Sequence, residues 1–375
     1  MTQPRNYGFE EEAGMLKDAA RRFFGERLPV DRLHGLVATD YDPEGVAPLR
    51  WDPAIWDEMV DLGWTSLAVP EDAGGLAMPW VAVAGLVEEA GRAALPAPLL
   101  TTLQTTALLR HLGPSATSAL EEIAGGVAAT VVCLNAGGCP GPGSLRASDG
   151  RLDGEAWFVQ DAGKCSRFLV LAAEEDGAWG LYWTSADAAG VTIHSDAIVD
   201  LTRDQARVQF SATPAERLAG DGLQLWRAAE PELWTLLSAD MVGAAEWQLQ
   251  TTVEYAQQRK QFDRPLGFFQ AVKHQLVDVM VAIDESKSLV YSAACALDHE
   301  PERRRELALM AKASASETAG FASGRSVQCH GGIGFTWECY VQLYFKRQEH
   351  SRRLFGDAAT HRAEIARILI DRDAA

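Results

Sequence analysis

Arg259-Lys260-Gln261-Phe262-Asp263-Arg264-Pro265-Leu266-Gly267-Phe268-Phe269-Gln270-Ala271-Val272-Lys273-His274 is the stretch whose reading decides the fold. It joins two helical patterns through a turn that contains proline and glycine. The run before it, Glu232 to Gln258, has no proline and no strong breaker beyond Gly243, so it reads as one helix of about 40 Å. Taken alone, the stretch is a connector with a basic cluster inside an acidic protein, and a solvated surface loop is the plain alternative.

Working outward, the chain changes texture twice. Residues 9 to about 125 read as helices, with Phe9, Met15, Leu16, Ala19, Phe23 and Phe24 recurring near a 3.6 period. Turn chemistry at Pro70–Gly75 and Pro96-Ala97-Pro98 separates them. From about 127 to 218 short apolar runs, such as Ala128–Leu134 and Phe168–Ala173, alternate with glycine-, aspartate- and proline-bearing turns. That spacing predicts a small all-β sandwich or barrel. Helical patterns return over 223–298 and 302–370. The expected domains are therefore 1–125 helical, 126–218 β, and 219–375 a helical bundle.

Composition narrows the function classes. Of 375 residues, 47% are hydrophobic and 23% charged, which gives ample material for a core. Acidic residues outnumber basic ones, 52 to 34, for a net charge of −18, so a phosphate-tracking nucleic-acid binder is not expected. No apolar run is long enough for a membrane span, and the N-terminus turns acidic at once instead of forming a secretory signal. The six cysteines have no spaced framework, which predicts reduced thiols in a cytoplasmic protein. Cys329 and His330 are adjacent but have no further ligands at metal spacing, so no metal site is expected. The run Glu302-Arg303-Arg304-Arg305-Glu306 reads as a solvated helix start.

A second segment, Gln328-Cys329-His330-Gly331-Gly332-Ile333-Gly334-Phe335-Thr336-Trp337-Glu338, carries glycines that permit positive φ and close backbone approach to a ligand. Tight turns between helices use glycine as well. No strand precedes it, which excludes a dinucleotide-binding glycine fingerprint.

Taken together with Leu62–Gly75 and Glu88-Glu89-Ala90-Gly91-Arg92, these two segments resemble the acyl-CoA dehydrogenases, flavin enzymes that oxidise acyl-CoA thioesters to 2-enoyl thioesters. The resemblance covers nearly the whole chain, including the helical, β, helical order. It implies an FAD site shared between subunits, in which Arg259, Phe262, Gln270, Gln328, Gly331 and Gly332 reach the adenosine diphosphate half of FAD bound mainly by a neighbour. The residue types suit that role: a guanidinium fork for pyrophosphate, an aromatic surface, two amides and two open glycines. An electron-transfer flavoprotein as acceptor is implied by the family alone.

The departures are lopsided. The family needs a carboxylate to take the α-proton while the β-hydrogen leaves as hydride, and a missing base costs roughly 10²–10⁴-fold. Counting forward from Gln328, the usual glutamate slot is Phe355; counting back from Arg259, the alternative slot is Leu233. Glu232 is one residue off, a rotation of about 100° on a helix, and Asp357 replaces a small hydroxyl residue. These two are the weak candidates for a base. The flavin-facing signature reads Trp157-Phe158-Val159-Gln160-Asp161, with valine where the family has a hydroxyl donor, and the preceding turn, Leu134–Ser144, keeps only small and turn residues. The half-site lent to a neighbour is kept, and the chain's own site is degraded. Some family members are α2β2 assemblies of unlike subunits with one FAD per heterodimer, commonly acting on steroid side-chain or ring-fragment CoA thioesters, and this imbalance fits such a subunit. A self-sufficient homotetramer with a relocated base and a non-catalytic binding or scaffolding paralogue are the alternatives.

Overall fold

The computed structural model describes residues 4–38 and 50–374. The N-terminal helices are α1 (Glu11–Arg27), α2 (Val30–Val37), α3 (Pro53–Asp61), α4 (Trp80–Arg92), α5 (Leu99–Arg110) and α6 (Thr117–Ala124). Their starts follow local chemistry. Asp52 caps α3 by accepting a bond from the Ala54 N–H, and Pro53 opens the first turn, where its missing N–H costs nothing. α4 and α5 are buried along nearly their whole length, so both faces pack, and α5 shows little of the amphipathic patterning of a surface helix.

The strands are β1 (Ala129–Val132), β2 (Arg146–Ser148), β3 (Arg151–Gln160), β4 (Arg167–Ala173), β5 (Trp179–Ser185), β6 (Val191–Ser195), β7 (Gln205–Pro214) and β8 (Glu216–Ala219). They form one sheet in the order β6-β7-β3-β2-β4-β5-β8, with β1 beside β4. β1 runs parallel to β4 from Ala129↔Arg167 to Val132↔Val170, and β2 meets the same strand at Arg146↔Ala173. Phe168 of β4 packs edge-on against Phe210 of β7, a strand that is not its neighbour, so the sheet curls over a shared interior.

The bundle contains α7 (Gly222–Gln258), α8 (Gln270–His299), α9 (Arg304–His330), α10 (Val341–Ser351) and α11 (Ala358–Ala374). α7 corrects the expectation for Glu232–Gln258. It begins ten residues earlier, capped by Asp221, and keeps Pro231 inside it. The carbonyl that Pro231 leaves unpaired belongs to exposed Arg227, and the buried residues on either side hold the helix together by packing. Gly243 acts as a contact point here and does not break the helix. A Cβ there would collide with the Glu88 carbonyl, and one at Gly91 would collide with the Asp240 backbone, so the pair lets α4 and α7 cross backbone to backbone.

Candidate active site

The two positions that the resemblance assigns to the family's base converge in space. Leu233 on α7 and Phe355, in the turn between α10 and α11, line one cavity of about 20 Å³ with Gln104, Cys133 and Trp157. That volume holds about one water. Gln104 Nε2 donates to the Leu233 carbonyl at 3.2 Å and so is already spent on the backbone. Among the described residues that line it, only Cys133 titrates, and burial pushes its thiol up, away from ionisation at neutral pH. The cavity has no proton acceptor and no room for an acyl chain.

The weak candidates lie elsewhere. Glu232 is buried on a different face of α7, with Oε1 3.0 Å from His111 Nε2 and 3.9 Å from Arg304. Asp357 is exposed and caps α11: its Oδ1 accepts from the Thr360 N–H and hydroxyl, both at 2.8 Å. Those bonds hold its carboxyl below the usual range. The arginine run after Pro301 is less solvated than expected. Arg305 pairs with Glu230 at 2.8 Å and stacks over Trp234, and Arg303 pairs with Glu300 at 3.0 Å, because carboxylates of α7 and α8's end face the start of α9.

Phe355 also lines a second, larger opening of about 640 Å³, whose other walls include Leu134, Phe158, Asp200, Lys346 and His350. Leu134, Phe158 and Phe355 belong to both linings, and the two phenylalanines form the bulk of the partition. Both have left-handed backbones, φ 55° each, uncommon for bulky side chains. At Phe158 the cause is a register shift between β3 and β7, from Ala156 to Val159, that re-aims the strand beside the site. Val159 is buried in the cavity wall and brings no polar atom. Burial lowers the His350 pKa to about 4, with Arg203 and Arg347 adding to the effect, so the ring is neutral and sits 3.0 Å from Gln160 Oε1. Behind it Asp240 of α7 takes both Arg203 of the β-domain and Arg347 of α10, a buried junction of the β-domain and the bundle. Sequence reading missed this junction, since its members share no local pattern.

The residues carried over as cofactor contacts lie together at one end of the bundle. Arg259 closes α7, and its carbonyl accepts from Leu266 N at 2.8 Å across the hairpin of β9 (Lys260–Gln261) and β10 (Arg264–Pro265). Gln270 opens α8. Tyr255 of α7 stacks on His330 of α9 with centroids 4.2 Å apart, which brings the end of α9, with Gln328, Gly331 and Gly332, to the same place. Arg259, Gln270 and Gln328 are exposed, and Phe262 is 88% exposed at the hairpin tip with φ 52°. Among the described residues the Arg259 guanidinium has no hydrogen-bond or ion-pair partner. Gly331 has φ +64°, and a Cβ on Gly331 or Gly332 would meet only open space. A basic fork, two amides and unobstructed backbone fit the diphosphate half of FAD approaching from outside the chain. The chain's own cavity offers a flavin ring little: Phe355 and Leu233 line it with apolar side chains, and Val159 brings no hydroxyl.

The fold is a helical–sheet–helical one, with an exposed basic and glycine-bearing surface at one end of the bundle. Residues 10–135 match the acyl-CoA dehydrogenase N-terminal domain model and residues 235–370 the C-terminal domain model. Acyl-CoA dehydrogenase IpdE2 of Mycobacterium tuberculosis is 36% identical over 92% of this chain and 93% of its own length. The Tcur3481-Tcur3483 steroid acyl-CoA dehydrogenase superimposes with a TM-score of 0.84 at 27% identity, covering 97% of this chain and 99% of that one. The ChsE4-ChsE5 complex of Mycobacterium tuberculosis shares the fold at a TM-score of 0.85 and 23% identity, with the same coverage. The chain belongs to the acyl-CoA dehydrogenase family, FAD-dependent oxidoreductases acting on CH–CH bonds.

Proposed function

We propose that this chain is one subunit of an α2β2 acyl-CoA dehydrogenase, lending Arg259, Phe262, Gln270, Gln328, Gly331 and Gly332 to FAD held chiefly by a catalytic partner, and supplying no base of its own. The observation that carries this reading is the small cavity shared by Leu233 and Phe355, whose lining has no carboxylate and whose volume of about 20 Å³ leaves no space for an acyl chain. The reaction is α,β-dehydrogenation of an acyl-CoA thioester: a carboxylate on the partner takes the α-proton, and the β-hydrogen leaves as hydride. FAD, when bound, supplies the hydride acceptor, and an electron-transfer flavoprotein is the onward acceptor that the family implies. Likeness to a steroid acyl-CoA dehydrogenase supports a steroid side-chain or ring-fragment thioester as substrate. Free cysteines throughout support a cytoplasmic setting. No helix among the described residues is long and apolar enough to cross a membrane.

The test is expression alone and together with a candidate partner of the same fold, followed by a flavin-to-protein ratio and an acyl-CoA oxidation assay. Flavin and activity only in the co-expressed complex support the reading. A yellow, active lone protein overturns it in favour of a homotetramer with a relocated base. Flavin in neither preparation overturns it in favour of a scaffolding paralogue.

A further inference from the structure

Lys312 lies midway along α9 in Ala311-Lys312-Ala313, and its side chain is wholly buried. Its ammonium has three donors and finds three acceptors: Ser316 Oγ at 2.9 Å, the Gly356 carbonyl at 3.0 Å and the Arg352 carbonyl at 3.3 Å. The two carbonyls flank Phe355, the residue with the left-handed backbone in the partition between cavity and cleft. Gly356 continues the unusual path at φ +99°, and a Cβ there would press on the His361 ring at 3.0 Å. Three side chains thus converge on a turn that local backbone preference disfavours: Lys312 from beneath, His361 at 3.2 Å from the Gly356 carbonyl, and Ser316 alongside.

We propose that Lys312 is a positioning residue that clamps the Arg352–Gly356 turn and so holds Phe355 in the wall between the small cavity and the cleft.

Stability alone does not account for the residue. A buried ammonium costs free energy unless it is paired with an opposite charge. The titratable groups facing Lys312 are Arg352 just after α10, itself bonded to Glu349, Asp357 before α11, whose carboxylate is taken by Thr360, and neutral His361. No carboxylate bonds it. Burial accordingly lowers its pKa to about 7. An alanine or methionine would fill an apolar helix face at less cost, so the geometry points to the two carbonyls as the reason for a lysine there. This goes beyond the subunit reading and holds for the chain whether it works with a partner or alone.

The test is hydrogen–deuterium exchange of the segment 351–357 in the assembled protein, for the wild type and for Lys312→Met, which keeps length and removes the donors. Exchange in that segment is expected to rise about tenfold or more, with the rest of the chain unchanged and the thermal midpoint equal or higher. Lys312→Gln, which retains an amide donor of shorter reach, serves if the methionine variant fails to assemble. For either variant, unchanged exchange over 351–357 overturns the proposal. Acceleration spread over the whole chain with a lower thermal midpoint overturns it as well, because a purely structural lysine behaves that way. Flavin content and activity do not enter this readout, so it stands or falls separately from the subunit assignment.

Discussion

Leu233 of α7 and Phe355 of the α10–α11 turn, far apart in sequence, face each other across a cavity of about 20 Å³. They are the two positions that the family resemblance assigns to the proton acceptor, and apolar side chains hold both. On the proposed reading the missing base and the small volume go together, because the same two apolar side chains line the space between them.

If Arg259 lends its guanidinium to the diphosphate of FAD, then Arg259→Ala should strip flavin from the complex without dissociating it. The side chain is exposed and makes no contact that folding requires. Absorbance at the flavin band against protein mass, with the oligomer checked by light scattering, measures this. Full flavin occupancy in the variant rules the assignment out.

Glu232→Gln and Asp357→Asn should each retain most of kcat in the reconstituted complex. Glu232 is occupied with His111, so its amide variant is expected to show lowered stability and unchanged turnover. Asparagine still caps a helix, so the second variant should be near neutral in stability. A roughly thousandfold fall in kcat for Glu232→Gln, about 4 kcal/mol in the barrier, would instead identify a base in this chain.

Leu233→Ala enlarges the closed cavity. Truncating a fully buried leucine costs about 2–5 kcal/mol, read as a lower denaturation midpoint. If the partner binds the substrate, as proposed, activity per flavin should hold within a few-fold. A hundredfold loss of kcat/KM for assembled, flavin-replete protein would place substrate against this chain.

Asp240→Ala should be the most damaging single change. It leaves Arg203 and Arg347 buried without their carboxylate, a loss of about 3–5 kcal/mol. The sign of the pH effect follows. Burial alone would raise the Asp240 carboxyl, but the two guanidiniums outweigh it and the net shift is downward. A depressed carboxylate contributes stability above its unfolded value and loses it as pH falls through the folded one. Acid denaturation of the wild type should therefore begin well below the ordinary aspartate range at this site, and the alanine variant should lack that component in a melt series from pH 6 to 3.

Lys312 titrates with the opposite consequence. Its folded value near 7 lies below the ordinary lysine value, so above neutrality the unfolded chain holds a proton that the folded chain does not. Stability contributed through this group rises with pH between those limits. Subtracting the Lys312→Met melt series from the wild-type series over pH 6.5 to 9 isolates that slope, and a flat difference would show that the amine keeps its ordinary basicity.

Much of this was legible in the sequence because it is local. The hairpin Arg259–Gln270 and the turn Gln328–Gly332 carry their residue types within short, contiguous stretches, which is why the family resemblance could be read from them. The change from helical to strand periodicity and back was equally local, and counting against the family pattern from Gln328 and from Arg259 led to Phe355 and Leu233. The same locality misled at Pro231, where a proline that ends an isolated helix is carried inside α7 by buried neighbours.

The tertiary structure decided what depends on volume and on partners distant in the chain. That Leu233 and Phe355 share one cavity, and that it holds about one water, is set by side chains from α5, β1, β3, α7 and the α10–α11 turn together. Glu232 turned out to be tied to His111, Asp357 to be a helix cap, and Lys312 to lie beneath the Phe355 turn, each through a contact between separate elements. Sequence determines which groups are available and their order along each element. Which of them meet, and how much space remains between them, is fixed only when the elements pack, because burial, hydrogen-bond pairing and cavity volume are properties of neighbours in space.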